Sequence, residues 1–151
     1  MDLLATNFPA LKELAIYDST GLGTIVFPDL TPARLERLYL AGNGLTDTEV
    51  NGVLVSVGSS SSVSSLKELY LGRNALTKVP RIASFSKLET YYLNGNTIAF
   101  MSLSSLIFGS PVVNVGLKSV GMTAIEGGAF QGKILDLNLF VCYINYDLHN
   151  R

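Results

Sequence analysis

The sequence predicts an α/β repeat solenoid, in which one short supersecondary unit is stacked on copies of itself. Three observations point there. The segment Leu66–Leu76, LKELYLGRNAL, recurs in register along the chain. Its apolar residues alternate in, out and in at Leu69, Tyr70 and Leu71, the period of a strand with one buried face. An asparagine, Asn74, follows at the place where the chain must leave the strand.

The copies run in order. LKELAIYDSTGL from Leu11 keeps the frame, with Ser19 at the asparagine place. LERLYLAGNGL from Leu35 matches throughout and ends its strand at Asn43. The third copy starts at Leu66. LETYYLNGNTI from Leu88 puts Tyr91 at the second leucine and Asn96 at the turn. VVNVGLKSVGM from Val112 keeps the apolar frame but has Val120 there, and ILDLNLFVCYI from Ile134 has Cys142. The starts at 11, 35, 66, 88, 112 and 134 are separated by 24, 31, 22, 24 and 22 residues. One such match is expected by chance in an apolar chain; six in register are not.

This pattern, L-x-x-L-x-L-x-x-[N/C]-x-L, resembles the leucine-rich repeat over Leu11 to Ile144, with Cys142 as that family's alternative to asparagine. The tails AIEGGAFQG, from Ala124, and LTKVP, from Leu76, are similar to the extracellular-type animal repeats. The resemblance implies a curved right-handed coil. Short parallel strands line its concave face, and loops, 3-10 turns and short helices its convex face. Residues 1–151 are then one repeat domain, expected to be a fragment of a longer array because neither end carries a full cap. Uncapped ends leave self-association open. The subtype suggests an extracellular or cell-surface setting. The opening MDLLATNFPALKEL has no basic n-region and no long apolar core, so no signal peptide is read in this chain and localisation stays open.

Stacking places Leu38/Leu40, Leu69/Leu71, Tyr91/Leu93, Val115/Leu117 and Leu137/Leu139 in one inner wall that no single copy can bury alone. The asparagine meets a different need. A partly buried turn leaves backbone groups that require partners, and an amide side chain both donates and accepts. Asn43, Asn74 and Asn96 are expected to form a ladder beneath the turns. Cys142 offers only a weak substitute and Val120 none, which predicts a looser turn there or a backbone or water replacement. Val79, Ile82 and Phe85 continue the core behind the third strand, Leu103, Leu106 and Phe108 behind the fourth, and Ile125 and Phe130 behind the fifth. The long second interval reads as a helix from Asp47 to Gly58, with Thr46 or Asp47 as N-cap and Glu49 in the first turn. A serine-rich flexible surface connector, Ser59 to Ser65, follows it.

Composition excludes several function classes. Hydrophobic residues make up 48% and charged residues 15%, which is too apolar for a disordered chain. A net charge of −1 gives no basic excess to neutralise phosphates, so no nucleic acid is expected. The uncharged run from Thr90 to Leu117 is broken by Asn94, Gly95, Asn96, Gly109 and Pro111, and falls short of the roughly 20 apolar residues of a membrane span. Gly127 to Lys133 has the glycine spacing of a phosphate loop, but Ile134 stands where the magnesium-binding hydroxyl belongs. One cysteine, Cys142, and one histidine, His149, make neither a disulfide nor a zinc cluster, and no G-x-S-x-G elbow occurs. No enzyme, metal or cofactor is therefore expected.

The outward strand positions read Ala15, Tyr39, Tyr70, Tyr92, Gly116 and Asn138. Tyrosine supplies amphipathic contact area at small entropy cost, and a tyrosine column suits a protein partner. Packing between neighbouring strands accounts for the same rings equally well. The flanking columns Lys12, Glu36, Lys67, Glu89 and Glu13, Arg37, Glu68 alternate in charge and are expected to satisfy one another. Arg73 and Asp18 fall outside that alternation and are expected to be freer to meet a partner. Val113, Leu135, Phe140 and Val141 are expected to make the same face or its rim apolar downstream. The function expected is non-enzymatic protein recognition or scaffolding through the sheet face. The alternative is an interior structural segment of a larger solenoid with no ligand of its own.

Overall fold

A computed structural model describes residues 10–19, 34–102, 106–107, 114–126, 130–131 and 136–138. Its main feature is a six-stranded parallel sheet. The strands are β1 (Glu13–Ala15), β2 (Arg37–Tyr39), β3 (Glu68–Tyr70), β4 (Thr90–Tyr92), β7 (Asn114–Gly116) and β10 (Asp136–Asn138), and they lie side by side in chain order. Their registers align Leu14, Leu38, Leu69, Tyr91, Val115 and Leu137 in one row, and Ala15, Tyr39, Tyr70, Tyr92, Gly116 and Asn138 in the next.

The first row belongs to the core. Leu38, Leu69, Tyr91 and Val115 are buried, as are Leu40, Leu71, Leu93 and Leu117 two residues on. Each leucine so placed contributes about 1.5–3 kcal/mol through loss of apolar surface to water. Tyr91 is the largest of these side chains, and its hydroxyl donates to the Pro80 carbonyl at 3.3 Å. Ile82 and Phe85 are buried in the core, and Val79 and Ile125 pack against that core partly buried. Leu103, Leu139 and Phe108 lie outside the described residues, and the side chains of Leu106, Phe130 and Leu137 are not described.

One helix, α1 (Asp47–Gly58), fills the long connection between β2 and β3. Thr46 is its N-cap. The Thr46 hydroxyl accepts from the Glu49 amide, and the Glu49 carboxylate accepts from the Thr46 amide at 2.8 Å, a reciprocal capping box. Val50, Val53, Leu54 and Val57 recur at the spacing of one helical face, and all four are buried. Asp47 accepts from the Thr77 amide at 3.0 Å and the Lys78 amide at 3.2 Å, tying the helix start to the segment after β3. Burial pushes the Asp47 pKa up, but the hydrogen bonds from Thr77 and Lys78 outweigh it and hold the carboxyl below its usual range.

The serines after α1 are not the flexible surface connector expected from composition. Ser61–Ser64 forms a 3-10 turn, and Ser60 and Ser62 are buried. The Ser62 hydroxyl accepts from the Leu35 amide at 3.0 Å, and the Ser65 hydroxyl donates to the Leu35 carbonyl at 2.8 Å. Leu35 is fully buried, so its backbone groups must find partners inside the protein. Two hydroxyls supply those partners. Elsewhere away from the main sheet, β5 (Phe100–Met101) pairs in parallel with β8 (Ala124–Ile125), and β6 (Leu106–Ile107) with β9 (Phe130–Gln131). Short strands thus occur where loops, 3-10 turns and short helices were expected.

Candidate recognition surface

The strands β1, β2, β3, β4 and β7 each leave through a turn with a left-handed residue. These are Asp18, Gly42, Arg73, Gly95 and Ser119, with φ between +49° and +75°. The first four donate backbone amides to Ala41, Gly72, Asn94 and Lys118 respectively, so a backbone ladder continues past the strands. The next residue in sequence carries the second ladder. Asn74 Oδ1 accepts from the amides of Asn43 and Leu45, both at 3.1 Å. Asn74 Nδ2 donates to the Leu40 carbonyl at 2.8 Å and the Leu71 carbonyl at 3.0 Å. Asn96 repeats the set toward Asn74, Leu76, Leu71 and Leu93. Asn43 accepts from the Ser19 amide and donates to the Ile16 carbonyl. At Val120 this side-chain ladder has no counterpart. The turn there does not loosen: Ser119 keeps φ +53°, Val120 is fully buried, and Asn94 Oδ1 accepts from the Lys118 amide at 2.7 Å. Cys142 and His149 lie outside the described residues, as do Val113, Leu135, Phe140 and Val141.

The half-buried face of the sheet carries the aromatic column. Tyr39 and Tyr70 meet edge-on with centroids 4.7 Å apart, and Tyr70 and Tyr92 do so at 4.8 Å. Tyr17 stacks on Tyr39 at 6.0 Å and is 49% exposed. Sequence reasoning placed Ala15 at that end and missed Tyr17, which reaches the column from two residues beyond the strand. At the other end Tyr92 lies over Gly116, where a Cβ would sit 2.3 Å from the ring. A side chain at that position would collide with the Tyr92 ring. The Tyr39 hydroxyl donates to Glu68 at 2.7 Å. Burial, and then that bond, raise the Tyr39 pKa far above its ordinary value; burial and the Glu68 charge raise Tyr70.

The charged columns pair only in part. Glu36 bridges Lys12 at 3.0 Å and Lys67 at 3.3 Å, and these two ammonium groups lower its pKa. Arg37 turns to Glu13 at 2.7 Å, and Glu68, its expected second partner, takes the Tyr39 hydroxyl instead. Arg73 and Asp18, expected to be freer than the charged columns, are not unpartnered. They pair with each other at 3.1 Å across Gly42, both well exposed. Gly42 permits this, since a Cβ there would stand 2.0 Å from the Asp18 carboxylate. An exposed pair of this kind holds the two groups loosely.

Among the described residues no three His, Cys, Asp or Glu side chains converge as a metal site, and no helix is long and apolar enough to cross a membrane. A depression of about 300 Å³ lies between the start of α1 and Lys78–Arg81, with Asp47 on its wall already bonded to Thr77 and Lys78. No protein family, curated protein or solved structure matches this chain.

Proposed function

We propose that this chain is a leucine-rich-repeat solenoid serving as a non-enzymatic protein-recognition or scaffold module, with the tyrosine-bearing sheet as its contact face. The architecture is supported by six parallel strands in chain order and by asparagines at matching turn positions bonding from one turn to the next. The function rests on one observation, the contiguous Tyr17–Tyr39–Tyr70–Tyr92 column. Rings held by their neighbours lose little side-chain freedom when a partner covers them, which keeps the cost of association low. Edge-to-face pairs also stabilise the sheet itself by about 0.5–1.5 kcal/mol each.

The test separates the two roles. A partner is retrieved by crosslinking with the unmodified chain, and its affinity is measured for Y39S/Y70S/Y92S and for Y39F/Y70F/Y92F alongside thermal melts. The serine variant is expected to lose binding by at least tenfold while remaining folded, and the phenylalanine variant to keep most of it. Undiminished binding by a folded serine variant would refute the proposal.

A further inference from the structure

The tyrosine column is continuous, but its hydroxyls are not equivalent. Neighbouring ring centroids from Tyr17 to Tyr92 stand 6.0, 4.7 and 4.8 Å apart, all within the contact range of aromatic pairs. Tyr17, 49% exposed, brings one end of the column to solvent. Among the described residues, Tyr39 alone in the column has a carboxylate at hydrogen-bond distance, its half-buried hydroxyl donating to Glu68 Oε2 at 2.7 Å. Burial and that bond keep the Tyr39 phenol protonated, its pKa far above the ordinary value. The fully buried Tyr91 donates only to the Pro80 carbonyl, a poor proton acceptor.

The inequality matters once an electron leaves the column. A phenol that loses an electron becomes strongly acidic at its O–H and must shed the proton to reach a stable radical. A carboxylate already bonded to the hydroxyl takes that proton where it stands. We propose that the Tyr39–Glu68 pair is a proton-coupled oxidation site, at which an electron vacancy introduced into the column by a one-electron oxidant comes to rest. The step balances. Tyr39 gives one electron, through Tyr17 or directly, to the oxidant, which is reduced by one. The Tyr39 Oη–H bond breaks, an O–H bond forms on Glu68 Oε2, and a neutral phenoxyl radical is left at Tyr39. Return of one electron and the proton restores the pair. The site needs no protein partner, so it stands apart from the recognition reading.

The probe is ruthenium tris-bipyridine, photo-oxidised by a laser flash with a sacrificial electron acceptor, and phenoxyl absorbance is followed in the full chain. A fast phase of phenoxyl formation is expected, slower in heavy water than in light water. The variant E68Q keeps an acceptor for the Tyr39 hydroxyl, because the amide oxygen replaces the carboxylate oxygen, but it cannot take the proton. It should slow the fast phase by about tenfold or more, with the chain still folded by thermal melt. Y39F should remove the fast phase, and E68Q/Y39F should behave as Y39F alone. Slow oxidation of the other tyrosines, Tyr143 and Tyr146 included, continues in every variant. A fast phase that survives in Y39F would overturn the proposal, as would one with the same rate in E68Q or in heavy water, or the absence of any fast phase. None of these outcomes bears on partner binding, which the tyrosine-to-serine variant judges.

Discussion

The turns after β2, β3 and β4 and the turn after β7 solve one problem in two ways. All four hold a left-handed residue, Gly42, Arg73, Gly95 or Ser119. The first three then place an asparagine in the interior, while the last places Val120. Since the backbone shape survives the exchange, it is set by the left-handed residue and the backbone ladder, not by the amide. The amide does something separate: it satisfies buried backbone groups of its own turn and of the turn before. The tyrosine column stops at the same boundary, because β7 offers Gly116 in place of a ring.

The largest effect should come from making the strong region resemble the weak one. Asn74→Val strips partners from the amides of Asn43 and Leu45 and from the Leu40 carbonyl. At about 1–3 kcal/mol for each buried group left unpaired, a loss of about 3–5 kcal/mol is expected in denaturant unfolding. A loss below about 1 kcal/mol would mean that the backbone ladder suffices everywhere. Ser62→Ala probes the same region from behind the sheet. It removes the acceptor of the Leu35 amide and is expected to cost about 1–2 kcal/mol.

The inner row gives a contrast in pH. Burial raises the Tyr91 pKa well above its ordinary value, whereas Val115 beside it cannot ionise. A raised folded-state value means that the stability is fully present below the unfolded pKa of about 10 and is lost as pH rises through the folded value. Alkaline unfolding should therefore begin above about pH 10. Tyr91→Phe should move its midpoint upward while costing about 1 kcal/mol at neutral pH for the bond to Pro80. An unchanged midpoint would assign the alkaline transition to Tyr39 and Tyr70. The smallest effect belongs to Val120→Asn, which offers an acceptor toward Asn96 and Ile98 but gives up a buried apolar side chain. The two terms nearly offset, and stability should change by less than about 1 kcal/mol. A gain of about 2 kcal/mol or more would show that this turn lacks what the others have.

Strand positions, their order of register and the inner row were legible in the sequence because they follow from alternation at period two. A leucine that faces inward in one strand does so in the next. The asparagines and the helix of Asp47–Gly58 were legible for a similar reason, since their partners lie at short fixed offsets along or across the chain. Long or distant side chains were not. Glu68 stood between Arg37 and Tyr39, and the sequence favoured the arginine; Arg37 had a second carboxylate in reach and took it. Asp18 and Arg73 lie 55 residues apart, and only the missing Cβ of Gly42 lets them meet.

By itself, then, the sequence determined which residues of the main sheet face the core and which face outward, where its strands recur along the chain, and which turns hold an amide. These properties depend on local geometry that each segment carries with it. Tertiary structure alone decided that Tyr17 joins the aromatic column, that Ser62 is buried against Leu35, and that Glu68 takes the Tyr39 hydroxyl while Arg37 bonds Glu13. Each of those outcomes is a choice between competing partners. Such choices turn on distances between strands that no single segment encodes.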